Sequence, residues 1–313
     1  MKRPTIQMVQ VLCLIRLFTG PLQVEMEKLQ QQDCSDRFIT LLPTAQSFTG
    51  VTMKMPTLRM VQVLCLIGFF AGPLQALSLR IIDLDMSENS VDDQYINCIP
   101  PKEIPPESQD YLPVPDKYND TWQMAKGYWD QVNQSITNLT PMQGTAIMAY
   151  THPDELYVDF NAATREAGES QDTYDEFVFK DFFFLLSTAV QARKIEGECY
   201  DVFRGIKDIC FKVHKGESVR FGQFASSSTD IEIAKQFGET TVFSINTCYG
   251  VPINDISAIP EEEEVLIPPY EMFIVTSEEN ESPIRLESDG VHSRFNCEVL
   301  QVVSNESTQV TDD

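Results

Sequence analysis

The spacing of apolar residues changes character near residue 199. Between residues 115 and 195, apolar side chains recur near every third or fourth position, the period of an amphipathic helix. The pattern predicts a helix through the string DKYNDTWQMAKGYW that begins at Asp116, and a third, strongly apolar helix over residues 177–192. Between them, Thr140 followed by Pro141 predicts a helix start, because a capping residue precedes a proline at the first helical position.

From residue 199 onward, β-branched and aromatic residues dominate in short runs, a composition typical of strands. The runs predict strands over residues 200–203, 209–213, 218–224, 241–245, 265–267, 272–275 and 295–303. Helices followed by strands favour an α+β fold. The sequence therefore predicts an N-terminal helical part and a β core after it.

The first 76 residues contain a near-duplicate segment. Residues 1–23 and 53–75 are identical at 17 of 23 positions, and each has a basic start, a short apolar run and a Gly-Pro pair. This is the layout of a secretory signal, and the run is short for a membrane span. We expect residues 1–76 to be a duplicated leader with a polar spacer, cleaved near Ala76, and residues 77–313 to be one domain. A pair of amphipathic helices in the folded domain is the alternative interpretation.

The charge, the C-terminal segment and the sequons bear on the partners and the location of the protein. The chain has 313 residues, of which 42% are hydrophobic, and a formal net charge of −24, which argues against nucleic acid as a partner. No apolar C-terminal tail of the kind that a GPI anchor needs is present. We expect a secreted, extracellular glycoprotein without stable membrane insertion. Asn-x-Ser/Thr sequons begin at Asn119, Asn133, Asn138, Asn280 and Asn305.

Cysteine and histidine spacing excludes several site types. The predicted domain has five cysteines without a C-x-x-C pair, so a zinc ribbon or redox motif has no support. In an exported chain such cysteines form disulfides, and an odd number leaves one over, although the sequence alone does not give the pairing. The three histidines form no pair with metal spacing, and no Gly-rich nucleotide loop or G-x-S-x-G elbow occurs. We expect no metal.

The segment EEEEVLIPPYE at residues 261–271 carries the strongest chemical signal. Glu262 and Glu264 lie two residues apart and lead into an apolar run, which two prolines end because proline cannot donate to a strand ladder. If the strand extends back through the acids, both carboxylates face the same cleft. Their repulsion should raise the pKa of one, which suits proton handling or stabilisation of a cation. The alternative is a solvated acidic loop before a core strand.

This string resembles the active-site segment of the arginine-specific mono-ADP-ribosyltransferases of vertebrate cell surfaces and secretions. That family combines an arginine at a strand end, a serine triplet and paired glutamates. All three occur here in order: Arg204 in VFRG, the serines of FGQFASSS at residues 221–228, and the acids of residues 262–264. The strip FNAATREAG at residues 160–168 also resembles the family, and the likeness spans roughly residues 80–302.

The resemblance implies transfer of ADP-ribose from NAD⁺, the co-substrate, to arginine side chains of protein acceptors, in a cleft of mostly antiparallel strands. Glu264 would stabilise the cationic sugar and hold a ribose hydroxyl. Glu262 would orient or deprotonate the acceptor guanidinium, which is otherwise a poor nucleophile. Arg204 would bind the pyrophosphate, unless it forms a structural salt bridge.

The same resemblance assigns further residues. Ser226 would hold Glu264 or the nicotinamide ribose, although three serines also suit a turn. Gly205 would leave room for the nicotinamide amide, and Phe237 would stack on nicotinamide or belong to the core. The implied disulfides are Cys98–Cys297 and Cys199–Cys248, with Cys210 free, buried or linked to another chain.

Two other functions stay open at this point. One is an NAD⁺ glycohydrolase, in which water replaces arginine at the same site. The other is a catalytically inactive secreted binding glycoprotein. The presence of all four proposed catalytic side chains argues against loss of activity, and Glu262 favours transfer. The sequence does not indicate the oligomeric state or the acceptor protein.

Overall fold

The computed structural model describes residues 79–99, 102–103, 111–133, 136 and 138–301. The predicted leader copies and the cleavage position near Ala76 lie outside the described residues. A compact unit begins at Ile81. None of the described helices is long and apolar enough to cross a bilayer.

Five α-helices precede the main strands in the described part of the chain, and a sixth is inserted between strands. Thr140 and Gln143 form reciprocal side-chain to backbone hydrogen bonds at the start of the second helix, and Pro141 is its first residue, so the predicted start is confirmed. The helices are α1 (Asn119–Val132), α2 (Pro141–Tyr150), α3 (Leu156–Glu166), α4 (Gln171–Asp175), α5 (Lys180–Arg193) and α6 (Ile231–Gln236).

The third predicted helix starts later than expected. Residues 177–179 form a turn before α5, and Phe177 and Phe179 are buried there. Their apolar side chains therefore fill the core from a loop, which the helical period could not distinguish from a first helical turn.

The strands among the described residues form one large sheet and two small pairs. The eight-stranded sheet has the order β4-β9-β10-β6-β2-β5-β8-β7. Its neighbours are antiparallel except β10 and β6, which are parallel, so the predicted α+β fold with a mostly antiparallel core is confirmed. The strands are β1 (Arg80–Asp83), β2 (Tyr200–Ile206), β3 (Ile209–Lys212), β4 (Ser218–Val219), β5 (Ala225–Ser228), β6 (Thr241–Thr247), β7 (Val251–Pro252), β8 (Glu264–Ile267), β9 (Glu271–Val275), β10 (Ile284–Val291), β11 (Phe295–Asn296) and β12 (Val299–Leu300).

Two strand predictions need correction, and one long strand was missed. The run at residues 218–224 contributes only β4, and the serines after it form strand β5 rather than a turn. The described part of the run at residues 295–303 is a short hairpin of β11 and β12, because Cys297 and Glu298 adopt positive φ angles and reverse the chain. Strand β10 was not predicted, since charged and polar side chains occupy many of its exposed positions.

The buried apolar residues of the described chain form two clusters, and β8 contributes to both. Leu266 packs in the cluster formed mainly by helix residues. Val265 and Ile267 pack in the other cluster, formed mainly by strand residues. Because successive side chains of a strand point to opposite faces, β8 is buried on both sides, which explains its unbroken apolar run.

The disulfides implied by the resemblance are present. Cys98 pairs with Cys297 across 199 residues, and Cys199 pairs with Cys248 with their Cα atoms 4.0 Å apart. The second bond joins the residue before β2 to the residue after β6, its neighbour in the sheet. Of the alternatives for Cys210, burial agrees with the structure, since the residue is 3% exposed.

Candidate active site

The predicted arginine lies on β2, beside the strand that carries the serines. Arg204 is partly buried, and its Nη1 atom donates a hydrogen bond to the carbonyl oxygen of Ser226. Its Nε atom is buried without a hydrogen-bond partner among the described residues. Burial lowers the pKa of the guanidinium, while the nearby charge of Glu264 opposes that shift. Arg204 is thus a cation with donor capacity left for a ligand, which fits an anion such as a pyrophosphate.

The antiparallel register of β5 and β8 brings the serines to the buried acid. Ser228 pairs with Glu264. Since paired residues and residues two apart share a face, Ser226, Ser228 and Glu264 lie on one face of the sheet. Ser227 lies on the other, where its hydroxyl donates to the carbonyl oxygen of Val265 at 2.7 Å. The outer serines therefore share a face with Glu264, and the middle one joins β5 to β8.

Glu264 is buried and surrounded by groups with opposing effects. Glu264 is the first residue of β8 and is only 4% exposed. The Ser257 hydroxyl donates a hydrogen bond to its Oε2 atom at 3.4 Å. Burial raises the pKa of Glu264 to about 7, the charge of Glu262 raises it further, and hydrogen bonds from Ser226 and Ser257 oppose both effects. This carboxyl therefore changes charge near neutral pH.

Glu262 reaches the site by a different backbone path from the one predicted. It ends a short 3₁₀ turn, Pro260–Glu262, and Glu263 has a left-handed backbone with φ of +47°, so the strand begins only at Glu264. The expected strand alternation through the acids is wrong, because the turn that Pro260 begins interrupts it. The two carboxylates still interact, since the charge of Glu262 raises the pKa of Glu264. Glu262 is partly buried, and burial raises its own pKa.

Gly205 and Phe237 both lie where β2 meets α6. A Cβ atom at Gly205 would lie 2.2 Å from the carbonyl oxygen of Ala234 and 2.3 Å from that of Gly238. The close approach of α6 to the strand therefore requires glycine here. Phe237 follows α6 directly and is 55% exposed, so its assignment to the core is wrong. Its ring is available to a ligand.

Tyr150 and Asn161 were not predicted as site residues. Tyr150 is the last residue of α2; its hydroxyl donates to the carbonyl oxygen of Phe224 at 3.1 Å and accepts from Asn161 Nδ2 at 3.0 Å. Burial raises the pKa of Tyr150 to about 12, and the group also interacts with Ser226 and with the charges of Glu264 and Arg204. The helical pattern gave no chemical signal for Tyr150, and the strip FNAATREAG, which contains Asn161, was the available signal.

Three adjacent strands bring three kinds of chemical group together. β2 supplies a guanidinium, β5 supplies hydroxyls, and β8 supplies a carboxylate that titrates near pH 7, with a second acid on the turn before it. Among the described residues, no group of three or more His, Cys, Asp or Glu side chains could hold a metal ion. Such a set can bind an anion and stabilise a developing positive charge.

Most of the chain is similar in sequence to known proteins. The NAD(P)⁺–arginine ADP-ribosyltransferase 2 of Gallus gallus is 40% identical over 239 residues, which cover 72% of this chain and 75% of that protein. The GPI-linked NAD(P)⁺–arginine ADP-ribosyltransferase 1 of Mus musculus is 36% identical over 277 residues, which cover 80% of this chain and 85% of that protein.

Solved structures give the same result. Two crystal structures of mutants of the eukaryotic mono-ADP-ribosyltransferase ART2.2, one in complex with NADH and one with NAD, are each 33% identical in sequence and have TM-scores of 0.58 and 0.59. Each alignment covers 70% of this chain and 98% of the solved chain. The family model described as NAD:arginine ADP-ribosyltransferase matches residues 84–294. The chain therefore belongs to the NAD:arginine ADP-ribosyltransferase family.

Proposed function

We propose that this protein transfers ADP-ribose from NAD⁺ to arginine side chains of proteins and releases nicotinamide. The observation that carries the proposal is the convergence of Arg204, Ser226 and Glu264 from three adjacent strands. Membership of the family supports the same activity.

Arg204 and Ser226 would hold the dinucleotide. The Nε atom of the guanidinium is a buried donor without a partner among the described residues. The hydrogen bond from Nη1 to the Ser226 carbonyl oxygen orients the guanidinium. A pyrophosphate offers the acceptor oxygens that such a donor needs, and the bond to it would be charge-assisted. The Ser226 hydroxyl, on the same face as Glu264, would contact the nicotinamide ribose.

Glu264 would stabilise the sugar as the bond to nicotinamide breaks. Positive charge then develops on the ribose, and a fixed carboxylate beside it lowers the barrier electrostatically. Because Glu264 is buried, water screens that interaction little. The carboxyl is effective only when ionised, which its pKa of about 7 allows at neutral pH.

Glu262 would serve the acceptor. An arginine guanidinium is charged at all relevant pH values and must lose a proton as it bonds to the sugar. Glu262 is partly exposed, unlike Glu264, so it can meet a side chain that arrives from solvent. Burial raises its pKa, which makes it a better proton acceptor than an exposed glutamate.

Phe237 and Gly205 complete the proposed NAD⁺ site. The exposed Phe237 ring would stack on nicotinamide. Gly205 would present its backbone to the nicotinamide amide, in addition to the close packing with α6 for which it is needed.

Labelled NAD⁺ with agmatine, a small guanidine acceptor, tests the activity. We expect ADP-ribosyl-agmatine as the main product, and no product from a Glu264→Gln variant of the same preparation. Free ADP-ribose alone would instead indicate a glycohydrolase. No reaction of the wild-type protein would leave a binding glycoprotein and contradict the proposal.

We propose an extracellular location for the enzyme, as a secreted protein. Disulfides persist in oxidising compartments, and Cys98–Cys297 and Cys199–Cys248 support this. Some relatives, such as the mouse protein, are described as GPI-linked. N-terminal sequencing of secreted material should begin near residue 77, and a start upstream of residue 53 would contradict the proposed leader.

A further inference from the structure

Glu263, the residue between the two proposed catalytic acids, has an unfavourable backbone conformation. Glu263 adopts φ of +47° and ψ of 47°, the left-handed region in which a side chain is disfavoured. Its N–H donates to the carbonyl oxygen of Pro260 at 3.2 Å, and that of Glu262 donates to the carbonyl oxygen of Ile259 at 3.2 Å. The turn that positions Glu262 therefore requires the left-handed conformation of Glu263, and further contacts are needed to stabilise that conformation.

Thr229 supplies those contacts. It follows β5 directly, and its hydroxyl donates to Glu263 Oε2 at 2.6 Å. The Thr229 N–H also donates to the carbonyl oxygen of Glu263 at 3.4 Å, one step beyond the paired residues Ser228 and Glu264. Two hydrogen bonds from Thr229, the residue after β5, therefore hold Glu263, the residue of the turn with the left-handed backbone.

The contact affects Glu262 and Glu264 differently. Glu264 is part of β8, is buried, and has its own bonds to Ser226 and Ser257. Glu262 lies on the turn and has no comparable strand pairing. Since Thr229 and Glu263 are both exposed, their hydrogen bond contributes little to global stability. Its loss should free Glu262 and leave Glu264 in place.

We infer that Thr229 is a positioning residue that acts through Glu263 to place Glu262, and that it sets how much ADP-ribose passes to arginine rather than to water. The inference rests on the proposed function. In transfer, the bond between nicotinamide and the ribose carbon breaks, nicotinamide leaves with the electron pair, and a guanidinium nitrogen bonds to that carbon and loses one proton. In hydrolysis, water takes the place of the guanidinium and loses the proton.

The test compares Thr229→Val, which removes the hydroxyl at equal size, with Thr229→Ser, which keeps it. Both products from labelled NAD⁺ and agmatine are measured for each variant. We expect Thr229→Val to lower the ratio of transfer to hydrolysis roughly tenfold, because a displacement of about 1 Å can reduce rates strongly. The KM for agmatine should rise, and Thr229→Ser should restore the wild-type ratio.

Three further variants separate a positioning role of Thr229 from a general loss of activity. Thr276→Val removes a hydroxyl just after β9, where it donates to the Arg285 carbonyl oxygen at 3.5 Å, and should leave the ratio unchanged. Glu263→Gln keeps an acceptor oxygen for Thr229 and should resemble wild type, whereas Glu263→Ala should resemble Thr229→Val.

The outcomes are distinct. A wild-type enzyme that transfers, together with an unchanged ratio in Thr229→Val, overturns this inference alone. An equal fall of transfer and hydrolysis in Thr229→Val assigns the residue a structural role and also overturns it. Absence of transfer by the wild-type protein overturns the proposed function, and with it the inference.

Discussion

The surroundings of the Glu264 side chain determine the pH at which its carboxyl group ionises. Its residue is 4% exposed, and burial raises its pKa to about 7. Hydrogen bonds from Ser226 and Ser257 favour the ionised form and keep the pKa from rising further. Paired acids suggested a raised pKa from the sequence, but the largest cause is burial, which a local acidic string could not reveal.

The first prediction concerns the pH dependence of activity. Because only ionised Glu264 can stabilise the sugar cation, the rate of nicotinamide release should rise with pH through about 7. Glu262→Gln removes a charge that raises this pKa, so the inflection in residual NAD⁺ hydrolysis should move to lower pH. Rates measured between pH 5 and pH 9 check both effects. A flat profile, or an inflection that moves upward in Glu262→Gln, would contradict the account.

The second prediction concerns stability. The folded-state pKa of Glu264 lies above its ordinary value of 4.5, so between about pH 4.5 and pH 7 the folded state keeps a proton that the unfolded state releases. Folding stability contributed by this group therefore falls as pH rises through that window. Glu264→Gln should raise the Tm at pH 8, by an amount equivalent to at most about 3 kcal/mol, and change it little near pH 4.5. A lower Tm at pH 8 would show that the ionised carboxylate stabilises the fold.

At the scale of elements, the sequence predicted types better than boundaries. Periodicity and the Thr140-Pro141 start located α2, because its cap is local chemistry. Strand β10 was missed because its exposed face is polar, and its place beside β6 depends on residues about 40 positions away in the chain. The short turn before β8 was missed because Glu263 has a left-handed backbone that is usual for glycine, not glutamate.

The third prediction compares two glycines in two elements. Gly205→Ala should destabilise the protein and displace α6, because the new Cβ would meet backbone oxygens of Ala234 and Gly238 at 2.2 and 2.3 Å. Gly127→Ala is the matched control: nothing lies within 4 Å of its Cβ position, and it is inside α1. Alanine is favoured in a helix interior by about 1 kcal/mol, so Gly127→Ala should raise the Tm. Equal Tm values for the two variants would contradict the packing argument.

At the scale of the whole molecule, the two ends of the described domain are fastened together. The Cys98–Cys297 disulfide joins them, and Asp92 accepts hydrogen bonds from the backbone N–H groups of Arg294 and Phe295. Asp92 also forms a fully buried ion pair with Arg220 at 2.6 Å. The disulfide could be predicted by resemblance to the family. The ion pair could not, since nothing local relates residues 128 positions apart.

The fourth prediction compares the two disulfides. Closing a loop restricts the unfolded chain more when the loop is longer, and such bonds contribute typically about 2–5 kcal/mol. The Cys98→Ser/Cys297→Ser variant opens a separation of 199 residues and Cys199→Ser/Cys248→Ser one of 49. Denaturant unfolding should show losses in both, larger in the first by about 1 kcal/mol. An unchanged midpoint for Cys98→Ser/Cys297→Ser would contradict the stabilising role.

Glu264 and Glu262 are proposed to have different roles: Glu264 stabilises the sugar cation and Glu262 serves the acceptor. Glu264→Gln removes the charge beside the sugar cation, and both arginine transfer and NAD⁺ hydrolysis should fall by several orders of magnitude. Glu262→Gln leaves that charge in place and removes the partner of the acceptor. It should abolish transfer and spare much of the hydrolysis. Melting curves serve as the folding control for both variants.

The most direct test is one assay with labelled NAD⁺ and agmatine in which wild type, Glu262→Gln and Glu264→Gln are compared and both products are quantified. We predict free ADP-ribose without ADP-ribosyl-agmatine from Glu262→Gln, and neither product from Glu264→Gln. Equal loss of both products in both variants, with folding intact, would contradict it.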